Sequence, residues 1–367
     1  MPVAYGQEEC IIEGNILNMP DSVSVSLSIR EGNGIKIFDE DYVTMLNGKF
    51  LIKKKVDQTT SMWFSCYHGE NKHLDVWAKP GASINITGDN NDPTSWKVES
   101  DVPEQLECNR FQEANQKEFV EIGQIFKELM KFSRKAKAGD ASAKIQVDSI
   151  KQVANKMEAR ITQNDLTVLK QNPIGIVGLE HLEKACKWFN IGKFNDREQI
   201  VSVYNLLTDE QKQSDIGKRI TASLFTLPPV QVGEAMADGN LKDLEGNTHH
   251  LADFKGKYIL LDFWSENCGP CRNALPELKK ITTLYKGKAT IISLTVDTDK
   301  AWKKSSENRN ITWLNLSDNL GNGGIAARYK VSALPAYVLI SPEGIILDRW
   351  DGYSENSLIT KLKDSVK

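Results

Sequence analysis

Two cysteines, Cys268 and Cys271, are the residues whose type and spacing most directly indicate chemistry. Only Gly269 and Pro270 separate them, within the segment LLDFWSENCGPCRNALPEL at 260–278. Thiols this close can form a small disulfide ring and open it again, because a thiolate attacks a disulfide through a mixed-disulfide intermediate. The spacing therefore indicates thiol–disulfide exchange, although one such pair by itself is a weak motif.

The elements predicted around this pair give each thiol a different position. The apolar run KYILLDFW at 257–264 predicts a buried strand, and the segment from Cys268 onward predicts a helix. Cys268 would stand where unpaired backbone N–H groups and the helix dipole stabilise a thiolate. Cys271, one turn further, faces the same side and is expected to resolve the mixed disulfide. Pro270 falls in the first turn, where no helical hydrogen bond is lost.

Asp262 stands inside the apolar strand, six residues before Cys268. An unpaired charge is costly to bury, so burial here predicts a carboxyl pKa raised towards the range of a general acid or base. The competing interpretation is an aspartate exposed at the edge of a sheet. The apolar neighbours on both sides favour burial.

The composition of the chain excludes several classes of function. The 367 residues carry a formal net charge of −3, which provides no basic surface for nucleic acid. No apolar run is long enough to span a bilayer, and the start, MPVAYGQEEC, predicts no intact signal peptide. His249 and His250 lack the acidic or cysteine spacing of a zinc site, so no metal is expected.

The six cysteines are too few for a disulfide-rich scaffold. Four of them are scattered in apolar or amphipathic contexts, which predicts small buried side chains: Cys10, Cys66, Cys108 and Cys186. A structural bridge between Cys10 and Cys66 is the alternative that the sequence leaves open.

The first two of three predicted domains carry no catalytic cluster. Residues 1–100 predict an all-β, sandwich-like accessory domain, because residues 22–29 alternate apolar side chains with serines. Asn47-Gly48 lies between two further strand-like runs and predicts a hairpin. Residues 101–227 have apolar stripes at helical spacing and predict an α-helical domain. A solvated loop is predicted at 131–144, between two of its helices.

The third predicted domain, residues 228–367, contains the cysteine pair. The adjacent prolines Pro228 and Pro229 end the helical region and extend the chain. Beyond them, nearly continuous apolar strands alternate with helices, which predicts an α/β domain with a central mixed sheet covered by helices on both faces. The acids Asp297 and Asp299 are expected in a solvated loop.

The last third of the sequence resembles the TlpA/ResA-like thiol–disulfide oxidoreductases, thioredoxin-family proteins of bacterial cell envelopes. The resemblance rests on LDFWSENCGPCR, on VDTDKAWKK, and on YKVSALPAYVLISPEGII, in which Leu-Pro precedes a strand. The segments ahead of it resemble, more loosely, the β-domain and helical accessory region of Bacteroidetes members. Two positions depart from the family pattern: Ala274 stands where many members have glutamate, and Asn267 where tryptophan is common.

The resemblance implies a thioredoxin fold and a role for each site residue. Cys268 would be the nucleophile, Cys271 the resolving thiol, and Asp262 the buried acid that relays the proton of the second cysteine. Trp264 would pack beside the disulfide. Leu334-Pro335 would carry a cis peptide facing the cysteines, on a loop whose backbone can pair with a substrate strand.

The activity expected from the resemblance is reduction of protein disulfides, since Gly-Pro between the cysteines matches the reducing members of the family. Location in the periplasm or cell envelope follows from the same resemblance. Protein thiols, including those of apocytochromes in cytochrome c maturation, would be the substrates, and a membrane thiol relay the electron donor. No cofactor is expected beyond the redox-active disulfide, and the oligomeric state stays open.

Three other functions compete with this one. A disulfide isomerase would need the first 230 residues to dimerise and form a cleft. A peroxiredoxin-like peroxidase would need a threonine and a proline just before the attacking cysteine, and FWSENC supplies neither. In the third, the accessory region binds a partner and the cysteines act as a redox-sensing lock.

Overall fold

A computed structural model describes residues 9–31, 34–68, 72–225 and 227–366. Strands dominate the first part of these ranges, and helices follow. The strands are β1 (Glu9–Leu17), β2 (Ser24–Glu31), β3 (Gly34–Thr44), β4 (Lys49–Lys55), β5 (Thr60–Tyr67), β6 (Lys72–Ala78), β7 (Ser83–Asp89) and β8 (Asp92–Ser100). The helices are α1 (Pro103–Ala114), α2 (Gln116–Lys137), α3 (Ala141–Gln171), α4 (Ile176–Asn190), α5 (Arg197–Tyr204), α6 (Asp209–Gln213) and α7 (Asp215–Phe225).

The strands β1 to β8 form the predicted sandwich. One sheet has the order β4-β1-β7-β8 and the other β3-β2-β5-β6. Aromatic rings join the sheets: Phe50 of β4 stacks on Phe64 of β5 at 5.2 Å between centroids, and Trp96 of β8 lies 6.5 Å from the same ring. Asn47 and Gly48 have φ of 50° and 71°, as a type I′ turn requires, and Leu46 and Lys49 pair across this turn. The predicted hairpin goes no further than this one bridge, because β3 and β4 belong to different sheets.

The burial of β2 differs from a simple alternation. Val25 and Leu27 are buried as the pattern predicts, but Ser26 and Ser28 are buried as well. The Ser26 hydroxyl lies 3.1 Å from the hydroxyl of Tyr67, which satisfies it. The serine face of β2 is therefore covered by neighbouring side chains rather than by solvent.

Amide side chains of α1 bind the edges of the sandwich. β6 and β8 are edge strands, which present backbone groups without a strand partner on one side. Gln105 Oε1 accepts a hydrogen bond from the Trp77 N–H at 2.7 Å, and Asn109 Nδ2 donates to the Val98 carbonyl at 2.7 Å. These amides occupy edge positions at which another chain would otherwise pair.

The prediction of a solvated loop at 131–144 is wrong. α2 and α3 include most of this stretch, and only residues 138–140 separate the two helices. Lys, Arg and Ala are strong helix formers, and Asp140 ends the turn by accepting a hydrogen bond from the Ala143 N–H at 2.9 Å. The high charge of the segment indicates only that it is exposed to solvent, and a helix can be as exposed as a loop.

The apolar stripe of α2 predicts the helix but not its burial. Phe119 and Phe126 are 41% and 40% exposed, and Glu118 is the buried residue of this helix. Among the described residues, no helix is both long enough and apolar enough to span a membrane.

A buried carboxylate of α1 caps α4. Glu107 accepts hydrogen bonds from the N–H groups of Gly175, Val177 and Gly178 at 2.6, 3.1 and 3.0 Å. These N–H groups lie at the helix start, where they have no partner within the helix. A Cβ on Gly175 would lie 2.5 Å from a carboxylate oxygen of Glu107, so the close approach depends on glycine.

The four scattered cysteines are buried free thiols, as their contexts predicted: Cys10, Cys66, Cys108 and Cys186. The alternative bridge between Cys10 and Cys66 is not formed. Burial raises the pKa of both thiols to about 11, so they stay protonated near neutral pH and are poor nucleophiles.

The part of the chain after Pro229 alternates strands and helices. The strands are β9 (Leu241–Lys242), β10 (Thr248–His249), β11 (Tyr258–Trp264), β12 (Ala289–Thr295), β13 (Leu314–Leu316), β14 (Ala336–Ile340) and β15 (Ile346–Asp351). The helices are α8 (Gly269–Leu284), α9 (Asp299–Arg309), α10 (Gly324–Arg328) and α11 (Ser357–Ser365), with a 3-10 helix at Leu251–Phe254. Patterning did not predict β9, β10, β13 and α10, because elements of two to five residues carry too little periodicity.

The central sheet has the order β13-β12-β11-β14-β15, with β11 parallel to β12 and antiparallel to β14. Alternate residues of β11 face opposite sides. Leu261 and Phe263 pack towards α10 and the 3-10 helix, whereas Leu260 packs towards α8 and α11. The sheet is mixed and covered by helices on both faces, so the predicted fold class is confirmed.

Contacts group the chain into two units. One unit reaches Leu207, and the other continues from Thr208, so α6 and α7 group with the α/β part. The division into three domains at residues 100 and 227 stays a prediction from the sequence.

Candidate active site

Cys268 and Cys271 form a disulfide at the start of α8. Cys268 is the N-cap residue, and its Sγ accepts a hydrogen bond from the Cys271 N–H at 3.1 Å. Gly269 and Pro270 form the beginning of the helix, and Pro270 is exposed. Cys268 is 8% exposed and Cys271 3%, so Cys268 is the more accessible cysteine of the two.

An apolar cluster surrounds the disulfide. Trp264, from the end of β11, and Trp302, from α9, are both 1% exposed and pack with the two cysteines. The Trp264 indole N–H donates to Asn315 Oδ1 at 3.2 Å, which orients the ring. The resemblance placed Trp264 here but said nothing of Trp302, whose charged neighbours in DKAWKK masked a buried position.

The loop before β14 completes one side of the cluster. The peptide bond between Leu334 and Pro335 is cis, as expected, and Leu334 packs against the disulfide cluster. Pro335 is buried, and its carbonyl accepts a hydrogen bond from the Gly352 N–H at 2.7 Å. Ser332 and Ala333, just ahead, are exposed, so an accessible backbone segment leads into this contact.

Asp262 lies buried on the side of the sheet that α8 covers. It is 3% exposed, between Leu260 and Trp264 on the same face of β11. β11 is the central strand, so the alternative of an exposed edge aspartate is wrong. The Ser293 hydroxyl donates to Asp262 Oδ2 at 2.8 Å, and Trp313 Nε1 donates to Ser293 Oγ at 2.9 Å. The carboxyl therefore ends a short hydrogen-bonded chain.

Burial raises the pKa of the Asp262 carboxyl to about 6. Lost hydration is the largest cause, and the Ser293 hydrogen bond and the positive charge of Arg309 oppose it. A carboxyl with a pKa near 6 can take a proton from a thiol and return it near neutral pH.

Asp297 contradicts the prediction of a solvated acidic loop. It is 2% exposed, and its Oδ2 accepts hydrogen bonds from the Glu266 N–H at 2.6 Å and from the Thr295 hydroxyl at 3.2 Å. The neighbouring Asp299 does lie at the surface, where it pairs with Lys303 at 2.8 Å. Asp297 differs because it lies two residues after the end of β12, where it contacts the loop that leads to Cys268.

Arg309, the last residue of α9, contacts the same loop. Its Nη2 donates to the carbonyl of Ser265 at 3.0 Å and also to that of Glu266. Its guanidinium carbon lies 4.6 Å from the centre of the Trp264 ring. No motif in the sequence marked Arg309, because its partners lie more than 40 residues earlier in the chain.

Comparisons with known proteins identify the family of the part of the chain that contains this site. The AhpC/TSA family profile matches residues 232–349, all within the second unit. A ResA thiol–disulfide oxidoreductase of Bacillus thuringiensis is 32% identical over 125 residues, which cover 34% of this chain and 71% of that protein. The thioredoxin-like protein YneN of Bacillus subtilis is 30% identical over 123 residues, 32% of this chain and 71% of that one. The chain belongs to the ResA-like thiol–disulfide oxidoreductases.

A solved domain is also similar to this ResA-like chain. The thioredoxin domain of a thiol–disulfide oxidoreductase from Bacteroides vulgatus is 29% identical, with a TM-score of 0.34, over 38% of this chain and 99% of that domain. Membership of this family makes the chain an enzyme, a thiol–disulfide oxidoreductase. The disulfide at the start of α8 is the group that fits this activity.

Proposed function

We propose that this ResA-like enzyme reduces disulfides in proteins of the bacterial cell envelope, with Cys268 as the attacking thiolate and Cys271 as the resolving thiol. The position of Cys268 carries the proposal: it is the N-cap of α8 and the more exposed cysteine of the pair. Unpaired N–H groups and the helix dipole lower the pKa of a thiol at such a position.

The reaction transfers two electrons to the substrate. The Cys268 thiolate attacks one sulfur of the substrate disulfide, a mixed disulfide forms, and the other substrate sulfur leaves as a thiolate. Cys271 then loses its proton and attacks Cys268 Sγ. This attack breaks the mixed disulfide, forms the Cys268–Cys271 disulfide and releases the second substrate sulfur. An external dithiol must then reduce the enzyme.

Asp262 serves as the proton acceptor for Cys271 in this scheme. Its burial on the α8 side of the sheet and its raised pKa support this role. The carboxylate accepts the proton when Cys271 becomes nucleophilic, and returns it when the disulfide is reduced again. The hydrogen bond from Ser293 holds the carboxylate in place throughout.

The substrate would lie across Cys268, between Pro270 and the loop ahead of Pro335. Pro270 is exposed, as are the residues just before Leu334, and the Leu334 side chain packs against the disulfide cluster. An extended substrate segment can pair its backbone with such a loop. Trp264 would support this position by packing beneath it. Gly269, which has no side chain, would leave room for the substrate next to Cys268.

The physiological partners follow from the family resemblance. Envelope proteins with oxidised thiols would be the substrates, including apocytochromes awaiting haem attachment, and a membrane thiol relay would supply electrons. The Gly-Pro dipeptide between the cysteines supports the reducing direction. The proposal requires no cofactor beyond the redox-active disulfide.

Trapping distinguishes the two cysteines. Cys271→Ser should accumulate a mixed disulfide with a peptide that contains one intramolecular disulfide, because no second thiol releases it. Cys268→Ser, the matched control, should trap none. Equal trapping by both variants, or trapping through Cys271 alone, would contradict the assigned roles.

The direction of electron transfer and the alternative functions need separate measurements. Equilibration in glutathione buffers should give a reduction potential near about −270 mV, and a value near about −120 mV would indicate an oxidant instead. Consumption of peroxide faster than disulfide exchange would support a peroxidase. Full cellular function after replacement of both cysteines by serine would support a binding module.

A further inference from the structure

We propose that Arg309 and Asp297 form a clamp that positions Cys268 for exchange, and that the charge of Arg309 stabilises the Cys268 thiolate. This inference rests on the proposed function, in which Cys268 is the attacking thiol. The clamp acts through residues 265–267, the loop between β11 and Cys268. Both residues are therefore positioning residues, and neither belongs to the cysteine motif.

Arg309 binds two consecutive carbonyls of this loop. Its Nη2 donates to the Ser265 carbonyl at 3.0 Å and to the Glu266 carbonyl. The Ser265 carbonyl also accepts a hydrogen bond from the Cys268 N–H at 3.2 Å. The guanidinium and the backbone of the attacking cysteine thus share one acceptor, and movement of Arg309 would be transmitted to Cys268.

The carboxylate of Asp297 binds a backbone N–H group of the same loop. Its Oδ2 accepts from the Glu266 N–H at 2.6 Å and from the Thr295 hydroxyl at 3.2 Å, and the Asp297 N–H donates to Thr295 Oγ1 at 3.1 Å. Asp297 is 2% exposed, so little solvent competes for these bonds. The N–H and the carbonyl of Glu266 are both bound, two residues before Cys268.

Trp264 places the positive charge next to the disulfide. The guanidinium carbon lies 4.6 Å from the centre of the Trp264 ring, an arrangement that favours a cation over an aromatic face. The same ring packs against Cys268 and Cys271. The guanidinium therefore contacts a side chain of the buried cluster that contains both cysteines.

Other charged groups lie near the guanidinium of Arg309 and contribute to the electric field around it. They are Asp262 on β11, Glu266 in the loop, Arg272 on α8 and Asp297 after β12. Burial, the largest cause, and Arg272 lower the pKa of Arg309, and the three acids oppose this shift. A guanidinium still stays charged at neutral pH, because its ordinary pKa is very high. A positive charge favours the thiolate over the thiol. Its removal should raise the pKa of Cys268 and slow its attack.

Two substitutions in the full chain separate the effect of the Arg309 charge from the effect of its hydrogen bonds to the loop. Arg309→Gln removes the charge, and Arg309→Lys keeps it but loses the planar fork of donors. The matched control is Arg349→Gln, which removes an arginine that donates to the Lys330 carbonyl elsewhere in the same unit. Each variant is combined with Cys271→Ser, so that the pH dependence of alkylation by iodoacetamide reports the ionisation of Cys268.

Arg309→Gln should raise the pKa of the Cys268 thiol by about one unit and slow alkylation at pH 7 about five- to tenfold. Arg309→Lys should leave that pKa close to its original value but slow exchange with a disulfide peptide several-fold. An unchanged thiol pKa in Arg309→Gln, or an equal change in Arg349→Gln, would overturn the inference.

Folding and the proposed function are checked separately. Should Arg309→Gln fail to fold, Arg309→Lys provides the test: slower peptide exchange at an unchanged thiol pKa supports the clamp, and unchanged exchange overturns it. If Cys268→Ser traps substrate, the proposed function fails whatever the Arg309 variants do. If trapping requires Cys268 but the Arg309 variants match the parent, this inference alone fails.

Discussion

At the residue scale, Asp262 is the group whose environment is most unusual for its chemistry. Its carboxyl lies in the centre of an apolar strand, with one hydroxyl donor and no side-chain cation hydrogen-bonded to it among the described residues. Such burial favours the protonated form. The resulting pKa suits proton transfer, but the charged form destabilises the fold.

Asp262→Asn is therefore expected to stabilise the oxidised protein at pH 8. The folded-state pKa of about 6 exceeds the ordinary value of 3.8, so the folded protein binds the proton more tightly than the unfolded chain. This contribution to stability is fully present below pH 4 and is lost as pH rises through 6. The gain from Asn should reach about 2–3 kcal/mol at pH 8 and be small at pH 4.

Urea denaturation at both pH values measures this difference. Asp299→Asn, which alters an exposed acid of the same unit, is the control and should change the free energy of unfolding little at either pH. An equal gain for Asp262→Asn at pH 4 and pH 8 would show that burial of the charge is not its cause.

At the scale of elements, two helix N-termini use their unpaired N–H groups differently. The start of α8 presents them to Cys268, whose sulfur must change partners during exchange. The start of α4 is closed by the carboxylate of Glu107, with three hydrogen bonds. In the proposed function the first arrangement serves reactivity, whereas the second is expected to serve stability.

Glu107→Ala is expected to lower the free energy of unfolding of the first unit by about 2–4 kcal/mol, because it leaves three N–H donors without their charged acceptor. Glu107→Gln should cost less, since its amide oxygen can still accept. Urea denaturation gives the values, and Glu113→Ala, an exposed glutamate of the same helix, is the control. A loss no larger than that of Glu113→Ala would contradict the capping role.

At the scale of the whole molecule, every group assigned to the site lies in the second unit. The disulfide, Asp262, Asp297, Arg309 and Pro335 all follow Thr208. The first unit contains a cleft of about 900 Å³ bordered by β6, β8, α1 and α2. The proposed redox chemistry is therefore assigned to side chains of the second unit.

A fragment of residues 208–367 should therefore keep the reduction potential of the full chain within about 30 mV, a difference of about 1.4 kcal/mol. Glutathione equilibration of both proteins measures this, with the Cys268→Ser fragment as the control. A larger shift would mean that the first unit contributes to the disulfide's environment. Exchange with a short peptide should be equally fast in both.

Local patterns predicted much of this architecture and of the site. Alternation in 22–29 and the apolar run at 257–264 each depend on a few neighbouring residues, and each formed the expected strand. Asn47-Gly48 formed the expected turn, but the strands around it pair in different sheets. The burial of Asp262 was predictable for the same reason, because its neighbours are apolar. The helices across 131–144 also depend on local residues, but the high charge of this segment indicates only exposure, which loops and helices have in common.

What the sequence by itself determined is the chemistry of the cysteine pair, its place between strand and helix, and the family to which it belongs. Only the tertiary structure decided that Asp297 is buried, that Trp302 joins the disulfide cluster, and that Arg309 binds the loop before Cys268. Exposure and hydrogen bonding at these positions depend on which strands become central and which helices cover them. Those choices are made by contacts between residues far apart in the chain, and no short pattern records them.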